Sequence, residues 1–512
     1  MARSTRVSSA DSKEPKPTII RNFTDVIQAV DDTSGLNPTA QRKARRIELM
    51  VVIIALGGVF VDAYDFTSLG LGEIQLKTQF HLGSTSLGLL SASMAVSALF
   101  GALFGGYFVD KLGRLPMFLL DLYFFVFSAI GAAFAPNLWI LIAFRLMMGL
   151  GVGLDFPVAL SFVAEFVSKN RRAKFVNLSY INWYSAAIVG FISSYIAYSL
   201  GAGANLWRFA VGFGAVPAIV ILFLRYKYMT ESPLWAAKRG DFEAAANVLR
   251  RTRGIEVQIE PDQEVSNSFT PLSMSQTYKL LFSSTYARRT VLAGIIASAQ
   301  SIEYYAVIFY LPVISQLLFG NTMLSAILGS MFFSAIGLFG SSFQAMICTR
   351  TGIRPLTLGG SILAIISLLG LAIGHGMGVL ALEAVMVGVF MIGHTIGPGP
   401  QGMAYGTLSF PTAIRASGVG WTQGMLRVGS IIGFLLFPLS MAAFGFVSTF
   451  VALAIAPGII LLATLIIKWE PVGVDIELEG EQVLQSLKNS EPEVLSFPVS
   501  SSPISSDPID LI

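Results

Sequence analysis

Gly106-Tyr-Phe-Val-Asp110-Lys111-Leu-Gly113-Arg114-Leu-Pro116 is a charged, glycine-punctuated turn set between two long apolar runs. The run before it, Gly88 to Val109, and the run after it, Leu115 to Phe134, are each long enough to cross about 30 Å of hydrocarbon as a helix. The turn therefore belongs at a membrane face. There Asp110 can interact with the end of a neighbouring helix, Lys111 and Arg114 can meet phosphate headgroups, and Gly106 and Gly113 permit close helix contact and a tight reversal.

Working outward, the composition agrees. The chain is 54% hydrophobic and 13% charged, against about 25% charged in a soluble domain, so it has too few charges to coat a globule of this size. Hydropathy predicts an all-α integral membrane protein with twelve spans, near 48–70, 86–109, 115–135, 138–163, 176–200, 207–225, 290–317, 322–346, 356–374, 378–400, 418–443 and 447–467. Residues 1–47 read as a polar N-terminal arm ending in Gln41-Arg-Lys-Ala-Arg-Arg46, with no cleavable signal before the first span, which is itself the expected targeting signal. Two six-helix bundles, 48–225 and 289–468, flank a polar central loop at 226–288, and 469–512 forms a tail.

Cation placement orients the chain. Nearly all of the 34 lysines and arginines fall in the arm, the even-to-odd loops, the central loop or the tail, whereas the opposite loops hold only Lys77 and Arg208. A multi-pass protein of the cell membrane with both termini cytoplasmic is expected. The net charge of +3 carries no nucleic-acid message, because the cations lie at one face and are partly offset by acids there. The single Cys348 excludes an internal disulfide and a cysteine metal cage, and His81, His375 and His394 are too scattered for zinc. No metal or cofactor is expected. Without a His-rich cluster, nucleophile elbow or phosphate loop, an enzyme is not expected either.

In the central loop Ser232 precedes Pro233, which predicts a capped surface helix, and Asp241 caps a second that should end at Arg250-Arg251-Thr-Arg253-Gly254. The opening turn recurs as Arg350-Thr-Gly352-Ile-Arg354-Pro355, an internal duplication in which Thr349 replaces Asp110. The tail is rich in Ser, Pro and acids and is expected to be disordered.

A centrally placed Asp, Lys or Arg costs at least about 2.5–3.5 kcal/mol on insertion scales, so retained charges mark a wet cavity or a partner. Span 1 carries Asp62 and Asp65 on one helix face, where joint ionisation is disfavoured and a proton can be held. Span 4 carries Arg145, Gly149, Gly151, Gly153, Asp155 and Pro157, then Glu165. Glu165 with Arg171 and Arg172 reads as a gate network at the membrane face, the alternative being a solvated loop. Span 7 places Gln300, Glu303 and Tyr304 on one face, suited to an amphipathic solute. Span 10 is breaker-rich at His394-Thr-Ile-Gly397-Pro398-Gly399-Pro400-Gln401, and its lone histidine is more in keeping with packing than with proton transfer. Span 11 carries Arg427, either an attractor for an anionic substrate or a partner for a carboxylate.

Four strings also resemble a known family. The opening turn is similar to the loop between helices 2 and 3 of the major facilitator superfamily, in which the Asp is read as a latch for the outward-open state. Thr230-Glu231-Ser232-Pro233-Leu234-Trp235 and Phe410-Pro411-Thr412-Ala-Ile-Arg415-Ala-Ser-Gly418 resemble sugar porter signatures, although Leu408 stands where relatives of the second string carry Glu. The Arg145 to Asp155 string, with Asp62-Ala-Tyr-Asp65, resembles phosphate:proton symporters and related metabolite transporters. The resemblance implies a secondary transporter, a monomer working on a small-molecule substrate and protons in the lipid bilayer. It implies a proton-coupled symporter of an organic acid, sugar or related solute, with phosphate symport or a drug or metabolite exporter as alternatives. Asp62, Asp65 and Asp155 are the expected proton carriers. Gln300, Glu303, Tyr304 and Arg427 are expected at the substrate, and Gly106, Asp110, Gly113, Arg114, Arg145, Glu165, Arg171 and Arg415 at the gates.

Overall fold

The computed structural model describes residues 17–31, 38–260, 272–309 and 311–490. Its helices supply the expected spans. The first bundle comprises span 1 (Pro38–Ala55 and Gly57–Gln79), span 2 (Ser84–Leu112), span 3 (Arg114–Ala133), span 4 (Leu138–Phe166), span 5 (Lys169–Ser199) and span 6 (Leu206–Phe213 and Ala215–Tyr228). The second comprises span 7 (Ala287–Phe309 and Leu311–Phe319), span 8 (Met323–Thr351), span 9 (Ile353–Gly376) and span 10 (Leu380–Ile396 and Pro398–Leu408). Spans 11 and 12 follow within Arg415–Leu453 and Ile455–Ile466. A left-handed Gly445 (φ 74°) breaks the first of these, so one apolar stretch crosses twice.

The helices are apolar on most sides, and large side chains such as Phe134, Trp139, Phe223, Phe339 and Leu439 stand exposed on the outside, where hydrocarbon would cover them. The inner contacts are close because small residues line them. At Gly106 a Cβ would lie 2.4 Å from the Ala416 carbonyl oxygen of span 11, so only glycine lets these spans meet. Gly113 ends span 2 at φ 107°, with Glu231 and Trp235 against it.

The even-to-odd turns, the central loop and the segment after span 12 gather at one side, here termed the charged face. Ser232 caps Pro233–Lys238 by accepting from the Trp235 amide, and Asp241 caps Phe242–Arg253, which stops at left-handed Gly254, both as expected. Met274–Leu281 adds a third helix with a Ser273/Gln276 capping box. In the arm, Thr18–Ile20 pairs in parallel with Val257–Ile259, and the Phe23–Asp31 helix packs through Val26 and Val30 on the central-loop helices. The N-terminal arm is thus tied to the loop between the bundles.

The expectation of disorder after residue 468 is corrected over Ile476–Ser490, which is helical. Ile476 and Glu477 are buried there, so composition was outweighed by docking onto a ready-made surface. The rest of the tail, from 491, lies outside the described residues.

Candidate functional site

Span 1 reaches the second bundle through Asp62, whose Oδ2 accepts from Arg427 Nη2 of span 11 at 3.2 Å, both side chains being buried. Arg427 also donates to the Tyr305 hydroxyl at 3.3 Å and lies over the rings of Phe66 and Phe156. Of the two readings of Arg427, the structure therefore has it paired with a carboxylate. Beside this pair Phe66, Trp183, Tyr184, Tyr304 and Tyr305 line a cavity between the bundles, and the same aromatic wall continues into a pocket that reaches Gln300, Gln423 and Arg427. Trp183 Nε1 donates to the Tyr304 hydroxyl at 2.7 Å from one bundle to the other. The amide of Gln423 and Oε1 of Gln300 are buried without hydrogen-bond partners, leaving polar atoms for a ligand to satisfy.

A second set of charges fills the first bundle. Arg225 of span 6 donates to Asp121 and to Asp155, each at 2.9 Å, and its guanidinium rests on Phe118. Asp155 is thereby tied within its own bundle and packs against Gly58 of span 1, one turn from Asp62. Asp65 is buried with no hydrogen-bond partner on either oxygen. Arg145, the cation whose field falls on Asp65 and Asp62, makes no ion pair within 4.0 Å among the described residues and donates only to Met148 Sδ. Four carboxylates (Asp62, Asp65, Asp121 and Asp155) thus face three guanidiniums (Arg145, Arg225 and Arg427). Asp121 and Arg225 escaped sequence reading because no motif surrounds either, and Arg225, close to Lys227 at the end of span 6, reads as one more membrane-face cation.

Gln300, Glu303 and Tyr304 do not share one face as expected. Gln300 and Tyr304 border the cavity, whereas Glu303 turns to span 10, where Oε1 lies 3.2 Å from His394 Nδ1. The His394 ring stacks on Tyr304 at 4.6 Å. Three residues along a helix fall about 60° short of a full turn, which is enough for a neighbouring span to claim the side chain.

The charged face is closed by a network between the bundles. Asp110 accepts from the Ala416 and Ser417 amides at 3.2 and 2.8 Å and from the Ser417 hydroxyl at 2.7 Å, at the N-terminal end of span 11 where free amides favour an anion. Arg114 is fully buried, so it does not reach headgroups; it bonds Asp110 at 3.1 Å and Glu165 at 2.7 Å, and Glu165 lies 3.5 Å from Arg415. The expected Glu165–Arg171–Arg172 network is not formed. The turn at Val167–Ser168 carries Arg171 to Glu48 of span 1, and Arg172 donates to the Val167 carbonyl.

The duplication extends to a pair of carboxylates that sequence reading missed. Glu231 accepts from the Leu115 amide at 3.1 Å and Glu470 from the Arg354 amide at 2.9 Å, at the same separation as Gly113 from Gly352. A carboxylate from outside both bundles also meets the Phe410 to Gly418 stretch. Glu477, on the helix after span 12, pairs with Arg415 and accepts from the Thr412 amide and hydroxyl, each at 3.0 Å. Burial pushes the Glu477 carboxyl up, but Arg415, Arg172 and the Thr412 amide outweigh it and hold it down at about 2. Nearby, Asp475 bonds Lys169 of span 5 at 3.0 Å and Glu479 bonds Arg289 of span 7 at 2.6 Å, so this helix straps both bundles.

Two pseudo-symmetric bundles around a cavity, tied together at one face, define a transporter of the major facilitator fold, not an enzyme. Residues 50–478 match the family model described as sugar (and other) transporter, and the chain belongs to that family. It is similar to the provisionally named metabolite transport protein YaaU of Escherichia coli, 27% identical over 408 residues, covering 80% of this chain and 88% of that protein. It is also similar to the arabinose-proton symporter of the same organism, 25% identical over 340 residues, covering 66% and 71%. Among solved structures, the proton:xylose symporter XylE bound to 6-bromo-6-deoxy-D-glucose superposes with a TM-score of 0.72 at 19% identity, covering 86% of this chain and 99% of that one, a likeness of fold.

Proposed function

We propose that this transporter is a proton-coupled symporter that brings a small polar metabolite across the cell membrane by alternating access, with both termini cytoplasmic and the monomer as the working unit. The observation that carries the reading is the charge imbalance around span 1. Four buried carboxylates against three guanidiniums leave one negative charge in a medium that strongly disfavours it, and a proton removes it. Asp65, with two unsatisfied oxygens, and Asp62, with one, are the groups to take it. Asp155 shares the cluster while it is held by Arg225.

Coupling follows from the Asp62–Arg427 pair. A proton on Asp62 weakens the pair and frees Arg427 and the Tyr305 hydroxyl to meet a solute in the cavity. By linkage, a bound solute that engages Arg427 raises the proton affinity of Asp62 by the same factor. Proton and solute then enter together and leave together once the charged face opens.

Aromatic walls with unsatisfied amides suit a hydroxylated ring, which stacks its C–H faces and hydrogen-bonds at its rim. Gln300, Tyr304 and Arg427 are the contacts proposed for it. Inorganic phosphate fits less well, because the one guanidinium lining the pocket is already neutralised by Asp62. The names of the arabinose-proton and xylose symporters point the same way. Uptake by proteoliposomes of labelled sugars, cyclitols, organic acids and phosphate, with and without an inward proton gradient, tests the reading. Gradient-driven export would favour the exporter alternative.

A further inference from the structure

The Glu303–His394 pair stands apart from the acid cluster of the first bundle. Both side chains are fully buried, Glu303 on span 7 and His394 in the last turn of span 10 before its break at Gly397. Their contact of 3.2 Å uses one atom of each, and Glu303 Oε2 and His394 Nε2 have no hydrogen-bond partner. Among the described residues neither makes another ion pair.

The surroundings hold no other charge to fix their state. Tyr304 and Tyr305 on span 7 and Tyr180 and Tyr184 on span 5 are the titratable groups packed nearby, and Arg427 on span 11 is held by Asp62. Spans 8 and 9 carry titratable groups only towards their ends, at Cys348, Arg350, Arg354 and His375, and span 12 has none. An isolated carboxyl and imidazole in contact at this depth are neutral as a pair when they hold one proton between them. With none, or with two, a net charge is buried.

The pair is also placed to sense both the cavity and the hinge. The imidazole stacks on Tyr304, which lines the cavity and accepts from Trp183 of the opposite bundle. On its other side the chain beyond the break passes so close that a Cβ at Gly399 would lie 2.7 Å from His394 Nε2. Bending at Gly397–Pro400 must therefore change what His394 Nε2 meets, and can admit water to it.

We infer that Glu303 and His394 form a second proton-binding site, in the second bundle, which keeps its proton while the charged face is closed and exchanges it with water when that face opens. The site rests on the reading of the protein as an alternating-access carrier, but not on the identity of its solute. While the charged face is closed the site binds its proton tightly from water on the far side, and when that face opens it gives the proton up to water there, with no other group changed. Two protons then accompany each solute, one on the span 1 acids and one here.

With three histidines in the chain, 15N-histidine labelling of the full protein in lipid nanodiscs gives a resolvable spectrum. His394→Asn assigns the resonance. In the wild type the His394 ring should hold the same protonation state between about pH 5 and 8. In Asp110→Asn, which opens the charged face, it should titrate within that range, and Glu303→Gln in the same background should displace that titration. A ring that titrates identically with and without Asp110→Asn, or whose titration ignores Glu303→Gln, overturns the proposal. Conformation-dependent titration without any proton-driven uptake in proteoliposomes would uphold the site and remove the symport reading instead. If Glu303→Gln does not fold, Glu303→Asp serves, and it should also shift the titration.

Discussion

Glu477 and Arg415 form a buried ion pair between the helix after span 12 and the mouth of span 11. The same helix reaches span 7 through Glu479, and Asp475 just before it reaches span 5. A segment outside both bundles thus takes part in holding them together at the charged face.

Removing Asp110's charge should loosen that face. Hydrogen bonds to a charged group contribute about 1.5–3 kcal/mol, so Asp110→Asn should raise the open population on the order of ten-fold or more. Cys348, buried at the charged-face end of span 8, reports it. Its modification by a small impermeant thiol reagent, added on that side, should be slow in the wild type and faster in Asp110→Asn. Gly106→Ala should act in the same direction, because its new methyl meets the Ala416 carbonyl. Equal rates in all three proteins would remove the latch, and modification from the opposite side would reverse the orientation.

Docking of the Glu477 helix should be insensitive to pH across the physiological range. The carboxyl is held at about 2 against an ordinary value of 4.5, a depressed group, so its contribution is complete above 4.5 and is lost as pH falls from there through 2. Hydrogen exchange of the amides at 476–483 should stay protected at pH 5 and lose protection only in more acidic solution. Release between pH 6 and 8 would contradict the pairing. Glu477→Gln should expose the helix at every pH.

The Asp121–Arg225–Asp155 set should matter to folding before it matters to transport. Arg225→Met leaves two buried acids without their cation, a loss of about 3–5 kcal/mol when one member of a buried pair is removed. Asp155→Asn leaves Asp121 to hold the guanidinium. The thermal midpoint in lipid should fall far more for Arg225→Met, and Arg225→Met combined with Asp121→Asn and Asp155→Asn should recover part of the loss. A midpoint unmoved by Arg225→Met would show that these charges are hydrated.

Much of this was legible in the sequence because hydrocarbon allows few solutions. Long apolar runs and a charged turn repeated at Arg350 to Pro355 specify spans and duplication with little ambiguity. Caps were equally plain, since Ser232 and Asp241 act on amides three residues away. Partners were not legible. Asp62 meets Arg427, Glu303 meets His394 and Glu477 meets Arg415 across long stretches of chain, and each choice depends on a helix rotation of a few tens of degrees. Glu303 and Arg171 went astray for that reason. The tail went astray because its composition speaks for an isolated segment, while Ile476 and Glu477 find a surface only the folded bundles provide.

The most direct test of the central claim is accumulation of a labelled solute in proteoliposomes under an inward proton gradient, using the best substrate from the panel. Wild type should concentrate it, and dissipating the gradient should reduce uptake to equilibration. Asp62→Asn and Asp65→Asn together should abolish accumulation while exchange of solute across the membrane continues, because the amides stand in for permanently protonated acids. Accumulation at the wild-type level in that double variant would leave the span 1 acids without a part in coupling.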